Sequence, residues 1–362
     1  MAKRNKKWWY ILLLLAFVAY TFIAARPITR ETVLQPRWIS SLELGQPVNL
    51  EQFSGQGDGS LLPFSLGERF GYVGDDGSFA INQIRRANIS LSDNAWAEYE
   101  SLPSGVQVLN PRNETLVNIE NINGYPLFLD NRMFLLGVEQ SSIIALGPGG
   151  EELWTYDFPA PVTFIDGSNG HILAGTVDGA VILLGPSGIP LFSPFEPGGS
   201  RLSVILGGAI SRDASRLAII SGIDEQRFLL MERSGDIYRV IYHEFLGEGF
   251  RRPVHISFVD NDSKVAFERI GGLGIYDIYT RNAVTLDLDG ELIILDNSGG
   301  DRFLFLISSP APGEKRFITI RYPGTIVSEA PFTSENAFFA RRNNKLYLGG
   351  DTAMISFELE RR

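Results

Sequence analysis

Short runs of apolar residues, separated by turns of Gly, Asn, Asp and Ser, fill the chain after its first thirty residues. The runs are rich in Val, Ile, Phe and Tyr, which favour strands, and helical periodicity is hard to find among them. The chain contains 38 Gly and 24 Phe, a composition that suits many strands joined by tight turns. The pattern predicts an all-β fold.

One long stretch of this pattern occurs twice. Residues 124–154 read GYPLFLDNRMFLLGVEQSSIIALGPGGEELW and align without a gap, at a shift of 38 residues, on residues 162–192, VTFIDGSNGHILAGTVDGAVILLGPSGIPLF. Asn131 meets Asn169, and both copies carry a Gly-Pro turn. The first copy predicts strands near 124–129, 133–138, 142–147 and 152–156. Four strands in a period near 40 residues are typical of a β-propeller blade.

Looser copies of the unit extend the repeat over most of the chain. We assign them to residues 62–99, 203–245, 253–288, 290–332 and 336–359, the last with three strands. The sequence therefore predicts a seven-bladed β-propeller over residues 47–362. An eighth blade is the alternative, because residues 101–123 fit no unit. We expect the segment near Pro47 to Phe53 to supply the missing strand and close the ring.

The N-terminus carries the clearest membrane signal. Trp8 to Ala25 is an uncharged run of 18 residues, about the length that crosses a bilayer core. Trp8, Trp9 and Tyr10 would lie at the membrane interface, and the basic tail, residues 1–7, would keep the N-terminus in the cytoplasm. The charged residues of this tail are Lys3, Arg4, Lys6 and Lys7.

The sequence thus predicts a signal anchor at 8–25 and a juxtamembrane stalk at 26–46. The propeller then lies outside the cytoplasm, on a single-pass protein of the cytoplasmic membrane. A cleaved signal peptide is the main alternative, although a cut after Ala25 would put Ile23 where a small residue is expected. A buried soluble helix is a further alternative. Trp38 and Ile39 could also pack on the body in place of a stalk.

Charge and composition exclude several function classes. Residues 31–362 hold 26 basic and 42 acidic residues, a net charge of −16, so the body repels phosphate backbones and nucleic-acid binding is not expected. The chain has no Cys, which excludes disulfides, thiolate zinc sites and a Cys nucleophile.

The quoted repeats resemble those of bacterial quinoprotein-like (PQQ-like) and WD40-like β-propellers. The stretch LGPGGEELWTYDF looks like the quinoprotein-type repeat, in which a Gly-containing turn precedes a strand bearing Trp; here Trp154 holds that position. The resemblance implies a toroid with a central channel and a Trp that packs between neighbouring blades. Membrane-attached members of this kind often act as assembly scaffolds in the cell envelope.

Candidate chemistry is sparse. His171, His243 and His255 lack metal-ligand spacing, and we expect each to be packed or half exposed. Asp260 and Asp262, in the turn DNDS, are weak calcium candidates, because oxygen ligands at alternate positions can hold Ca²⁺. A structural Asx turn explains them as well. We assign no catalytic residue and expect no cofactor.

These observations favour a non-enzymatic scaffold in the cell envelope that binds a protein partner on one propeller face. The alternative is a sensor, hydrolase or lyase with a ligand site in the central channel, which would need carboxylates or His from several blades to converge there. A quinone-dependent dehydrogenase fits less well, because the Trp of the repeat does not recur.

Overall fold

The structure is a computed structural model that describes residues 6–24, 32–43, 47–49, 60–191, 195–247, 249–296, 298, 300 and 302–361. These residues form one helix, α1 (Lys6–Ala24), and 31 strands arranged in eight antiparallel sheets. The all-β prediction is confirmed, and the fold is an eight-bladed β-propeller.

The first four blades follow the chain in order. Blade 1 comprises β3 (Leu61–Leu66), β4 (Arg69–Gly74) and β5 (Phe79–Ile84); blade 2 comprises β6 (Asn88–Leu91), β7 (Trp96–Tyr99), β8 (Gly105–Leu109) and β9 (Thr115–Glu120). Blade 3 comprises β10 (Gly124–Leu129), β11 (Arg132–Gly137), β12 (Ser142–Leu146) and β13 (Glu152–Asp157); blade 4 comprises β14 (Val162–Ser168), β15 (His171–Thr176) and β16 (Val181–Leu184). The strand predictions for residues 124–156 are confirmed to within one residue.

Three further blades have four strands each. Blade 5 comprises β17 (Ile205–Ile210), β18 (Arg216–Ser221), β19 (Gln226–Ser234) and β20 (Ile237–Gly247); blade 6 comprises β21 (Ile256–Val259), β22 (Lys264–Arg269), β23 (Gly272–Asp277) and β24 (Asn282–Asp287). Blade 7 comprises β25 (Glu291–Leu295), β26 (Phe303–Ser309), β27 (Glu314–Arg321) and β28 (Thr325–Thr333).

Blade 8 joins the two ends of the chain. It combines β29 (Phe338–Arg342), β30 (Lys345–Gly350) and β31 (Ala353–Arg361) with β1 (Thr32–Ser41) and β2 (Pro47–Asn49) from the N-terminal side. β1 pairs with β31 from Thr32 to Ser41, with a bulge at Arg37. The Arg37 guanidinium, with Nε 2.9 Å from Glu358 and Nη2 2.6 Å from Glu360, fastens the junction.

The prediction of seven blades is wrong, and the error lies at one boundary. The unit assigned to residues 62–99 contains all of blade 1 and the first two strands of blade 2. Among the described residues blade 1 has three strands, so a four-strand template that starts at β3 runs across the boundary near Arg85. The leftover residues 101–123 contain β8 and β9, the outer half of blade 2.

The stalk prediction for residues 26–46 is wrong where the structure describes that segment. Residues 32–41 are the fourth strand of blade 8, counted from the channel, so the propeller begins before residue 47. Trp38 packs on the body, with 2% of its surface exposed. The segment expected to close the ring contributes β2, a short fifth strand; residues 50–53 lie outside the described residues.

The N-terminal helix begins at Lys6 and ends at Ala24. In the part of the chain that the structure describes, no helix has both the length and the hydropathy of a membrane span, so the transmembrane helix predicted at 8–25 is not confirmed. α1 includes Lys6 and Lys7 at its start. Its uncharged part ends at Ala24, one residue before the end of the predicted run at Ala25. Lys3 and Arg4 lie outside the described residues.

One contact between neighbouring blades recurs around the ring. A large side chain on an outer strand packs against a glycine in an outer turn of the next blade, where a Cβ would be too close. Trp154 of blade 3 lies on Gly188 of blade 4, and a Cβ on Gly188 would be 2.4 Å from the indole. The indole Nε1 also donates to Pro186 O at 3.1 Å. The expected packing of this Trp between blades is confirmed.

The closing strand makes the same contact. Trp38 of β1 covers Gly77 of blade 1, whose Cβ would lie 2.7 Å from the indole, and its Nε1 donates to Asp75 O at 2.8 Å. Ile119 on Gly150 and Val284 on Gly324 repeat the arrangement with aliphatic side chains. β1 therefore acts as an ordinary outer strand of its blade, although it comes from the other end of the chain.

We predict that Trp38→Ala lowers the free energy of unfolding by about 3–5 kcal/mol, because it removes a buried aromatic ring and leaves a cavity at the closing junction. Ile39→Ala is the matched control, since the Ile39 side chain is 38% exposed on the other face of β1, and should cost at most about 1 kcal/mol. Urea unfolding followed by circular dichroism measures both. Equal losses would contradict the role given to Trp38.

Candidate functional site

The three histidines lie on different blades. His171 begins β15, His243 is on the outer strand β20, and His255 directly precedes β21. His171 Nδ1 lies 3.0 Å from Asn169 O, so its ring is held by its own turn. The structure does not bring the three rings together.

Asp260 and Asp262 lie in the turn between β21 and β22, and both carboxylates face cations. Asp260 Oδ2 accepts from Lys264 Nζ at 2.6 Å, and Asp262 Oδ2 accepts from the backbone and the Nε of Arg212 at 3.0 and 3.2 Å. Among the described residues, no three His, Asp or Glu side chains group closely enough to bind a metal ion. Both carboxylates therefore make ion pairs in this structure, one within its own turn and one with the neighbouring blade.

The turn of Asp260 belongs to a continuous surface. In blades 2 to 8 a turn joins the innermost strand to the second strand, and we call the side of the ring on which these turns lie the turn face. Hydrogen bonds join neighbouring blades, some between turns of this face and some between strand residues: Tyr72 Oη to Ser92 O at 2.8 Å, Ser90 Oγ to Pro126 O, Gly170 N to Asp130 Oδ2 at 3.1 Å, Ser168 Oγ to Arg212 O at 3.3 Å, Arg212 N to Asp262 Oδ2 at 3.0 Å, Arg302 N to Asp260 Oδ1 at 3.4 Å, Arg341 Nη1 to Phe303 O at 3.0 Å, and Arg342 Nη1 to Leu61 O at 2.8 Å. Each junction between described blades has such a bond.

A groove of about 480 Å³ crosses the turn face. It runs from the turn of blade 5 past blades 6 and 7 to the outer strands of blade 8, and we call it the arginine groove. The described residues of its lining include three arginines: Thr32, Arg212, Asn261, Ser298, Gly300, Arg302, Phe303, Arg341, Asn343, Asn344 and Leu359. The chain as a whole has a net charge of −10, so this lining departs from the average surface.

The arginines of the groove are held by neighbouring groups. Arg341 is buried with Asp296, and its guanidinium donates to Phe303 O at 3.0 Å and to Asn343 O at 3.1 Å. A Cβ on Gly300 would lie 2.2 Å from that guanidinium, so only glycine fits against it. Arg212 is tied to Asp262 and Asn261 on one side, while 58% of its side chain is exposed. These contacts fix where the positive charges lie before any ligand arrives.

Sequence reasoning missed the groove, although a signal for it was present. Turn residues recur at intervals of 38 to 49 residues in equivalent positions: Asn131, Asn169, Arg212, Asn261, Arg302 and Asn343. Five of the six have positive φ angles, between 49° and 66°, a conformation that Asn adopts more readily than most residues. Arg302 stands where the backbone favours Asn, which is a local mismatch that marks the position for attention.

A second cavity, of about 440 Å³, lies in the wall of the central channel next to the groove. The innermost strands of blades 4, 5, 6 and 7 line it, and Arg212 and Ser298 border both spaces. Asp166, His255 and Asp262 contribute titratable groups to it, while Phe164, Leu206, Val254, Phe258 and Leu295 are among its apolar residues. Carboxylates and a histidine from separate blades therefore do reach the channel.

Burial perturbs two of these groups. It raises the pKa of Asp166, and hydrogen bonds from Ile210 N at 3.0 Å and Gly167 N at 2.9 Å oppose the rise. Burial lowers the pKa of His255; the charges of Glu268 and Glu291 act against this shift, and that of Arg252 adds to it. Glu268 is itself buried and paired with Arg252 at 2.7 Å. Burial therefore favours the neutral form of His255.

We predict that the protein loses stability between pH 7 and pH 5.5, in part through His255. Because the folded-state pKa lies below the unfolded value of about 6.5, the unfolded chain binds the proton more tightly, and stability falls as the pH drops below about 6.5. His255→Gln should flatten this slope in urea unfolding. His243→Gln, on an exposed outer strand, is the control and should leave the slope unchanged. Identical slopes in all three proteins would contradict the assignment.

Comparison with known proteins agrees with this architecture. An uncharacterized protein of Treponema pallidum (strain Nichols) is 27% identical over 298 residues, which cover 81% of this chain and 78% of that protein. The crystal structure of BamB from Moraxella catarrhalis is similar with a TM-score of 0.56 and 14% identity, over 90% of this chain and 100% of that one. A chain of the mitotic checkpoint complex has a TM-score of 0.56 and 14% identity, over 86% and 96%.

These two solved structures share the fold, at sequence identities that carry no further information about function. A family described as β-propeller protein matches residues 1–361, nearly the whole chain. The chain is a member of this β-propeller protein family.

Proposed function

We propose that this protein is a non-enzymatic interaction scaffold that binds a protein partner on its turn face. The observation that carries the proposal is the arginine groove. It spans turns from four blades, has a volume of about 480 Å³ and lies open on a face that the inter-blade hydrogen bonds hold in place. A rigid, recessed and polar surface of this kind suits the docking of another chain.

Two further observations support binding over catalysis. The three histidines lie on separate blades, and the carboxylates Asp260, Asp262 and Asp296 are occupied by cations that belong to the fold. One similar solved structure is a chain of the mitotic checkpoint complex. A propeller can thus serve as a subunit of an assembly, which is the role proposed for this chain.

We also propose that the N-terminal segment exports the propeller from the cytoplasm, in the orientation that its basic tail predicts. The apolar side chains of α1 support this: Trp8, Trp9 and Tyr10 are each 70% exposed or more, and such a surface is unfavourable in water. An export signal needs only about 7 to 15 apolar residues. The same segment could then be cleaved or retained.

A second candidate function is a sensor that binds a small molecule in the channel cavity. Asp166 and His255, which reach this cavity from different blades with perturbed pKa values, favour it. Two measurements distinguish a sensor from a scaffold. A sensor retains a small molecule that native mass spectrometry detects, and it loses that molecule in Asp166→Ala, whereas a scaffold yields protein adducts from the turn face.

We predict that a photo-reactive amino acid placed at Asn343 or Asn261 forms a discrete adduct with one protein in the native host. Both positions line the groove. Ile270 is the matched control, because it is 53% exposed in a turn between the second and third strands of blade 6, on the opposite face. Mass spectrometry identifies the adduct. Adducts from Ile270 alone, or from none of the positions, would contradict the scaffold proposal.

Export has its own test, because the chain contains no Cys. We predict that Asp236→Cys, in the exposed turn after β19, reacts with a membrane-impermeant maleimide in cells whose cytoplasmic membrane is intact. Labelling only after lysis would contradict export. The mass of the mature N-terminus and its partition between membrane and soluble fractions show whether the segment is cleaved.

A further inference from the structure

We propose that this protein forms a symmetric dimer in which β20 of blade 5 pairs antiparallel with β20 of a second copy. β20 (Ile237–Gly247) is the outermost strand of its sheet, and among the described residues only β19 pairs with it. Its outer edge therefore carries backbone N–H and C=O groups that a further strand can hydrogen-bond. The proposal goes beyond the scaffold function, because it concerns the rim of the ring and not the turn face.

β20 differs from the outermost strands of five other blades in length and in exposed apolar surface. It has 11 residues, whereas β5, β9, β13 and β24 have six each and β28 has nine. β5, β9, β13 and β28 each have one exposed large apolar side chain, and β24 has none. β20 has four, each 39–52% exposed: Ile237, Val240, Ile241 and Phe245. A long apolar edge of this kind is a template for pairing with another chain.

The two charged side chains of β20 indicate that the partner is a second copy. A bulge at Ile241 brings Arg239 and Glu244 to the same face of the sheet, and their neighbours across the sheet, Glu232 and Phe228, are four residues apart on β19. Residues an even number apart on a strand share a face. In an antiparallel β20 pair whose two-fold axis passes directly after Ile241, Arg239 of each copy lies opposite Glu244 of the other. The pair thus gains two identical ion pairs.

Both charged groups are placed for this contact. Glu232, the neighbour of Arg239 across the sheet, is already paired with another arginine at 2.8 Å, and no carboxylate among the described residues pairs with Arg239. Tyr242 Oη donates to Glu244 at 3.0 Å, and the Arg269 guanidinium lies 3.9 Å from the same carboxylate. Glu244 is therefore held in position while 29% of its side chain is exposed. One edge strand carries both halves of the ion pair, so its charge is complementary to itself.

Antiparallel pairing reverses the second copy. The strands of a blade run between the turn face and the opposite face, so the two turn faces of the dimer point in opposite directions. The described lining of the arginine groove contains no residue of β20. Each copy therefore keeps its groove open, and one dimer presents two grooves.

Charge reversal tests this pairing. We expect the full-length wild-type protein to sediment as a dimer at micromolar concentration in analytical ultracentrifugation. Arg239→Glu and Glu244→Arg should each raise the dimer dissociation constant about 10-fold or more, because each places like charges opposite each other at two symmetric positions. The double variant Arg239→Glu, Glu244→Arg should dimerise like the wild type, since it only exchanges the two members of each ion pair. Glu120→Arg, exposed on the outermost strand of blade 2, is the matched control and should leave the dissociation constant unchanged.

A mixture of the two single variants gives a second measurement. A copy with Arg239→Glu and a copy with Glu244→Arg restore both ion pairs between them, so the mixture should form a heterodimer that is tighter than the homodimer of either variant. Circular dichroism melting of each variant checks that it is folded.

The outcomes decide the proposal. Loss of the dimer in the single variants, with recovery in the double variant and in the mixture, supports it. A wild-type protein that remains monomeric would overturn it, and so would a dimer that persists in both single variants, such as one held together by α1. Single variants whose mixture shows no recovery would also overturn it. The scaffold proposal is tested separately by the adducts at the turn face, and their absence would leave the dimer proposal unaffected.

Discussion

Closure of the ring by β1 is the contact on which the rest of the molecule depends. An open row of blades would leave a free strand edge at each end, and the pairing of β1 with β31 removes it by joining residues near both ends of the chain. Lys345 and Tyr347 of blade 8 then hold Asp75 of blade 1, each at 2.7 Å. The arginine groove depends on the same junction, because its far end is formed by Thr32 and Leu359. A chain that failed to close would lose the site as well as the fold.

The contact between an outer strand and the turn glycine of the next blade explains why the repeat is clear in some units and faint in others. The contact needs a large side chain on the outer strand and a residue without a Cβ, glycine, in the turn of the next blade. Trp154 and Trp38 provide the large side chain as an indole that also donates a hydrogen bond, whereas Ile119 and Val284 provide an aliphatic side chain that only packs. The same contact can therefore recur at a period of about 40 residues while the residue type varies from blade to blade.

The fold could be predicted from sequence as far as local signals extend. Two gapless copies gave the blade period and four strand positions, because their turns share the Asn that favours a left-handed backbone. The blade count failed at blade 1, where the structure describes three strands and a four-strand template therefore ran on into blade 2. β1 was misplaced because its partner lies more than 300 residues away. The recurrent turn residues marked single positions of the groove but not the groove itself, because Arg212, Arg302 and Arg341 become neighbours only when four blades are in position.

The arginines and the inter-blade bonds of the turn face form one system. Asp262 ties blade 6 to blade 5 through the backbone and side chain of Arg212, and Asp296 of blade 7 orients Arg341 of blade 8. A buried ion pair contributes little net stability once desolvation is counted, so these carboxylates act mainly on geometry: they set the distance between blades and the direction of the guanidinium groups together. An acidic chain can therefore contain a groove lined by arginines. Asp262 and Asp296 each pair with one arginine, and 58% of the Arg212 side chain still remains exposed at the groove.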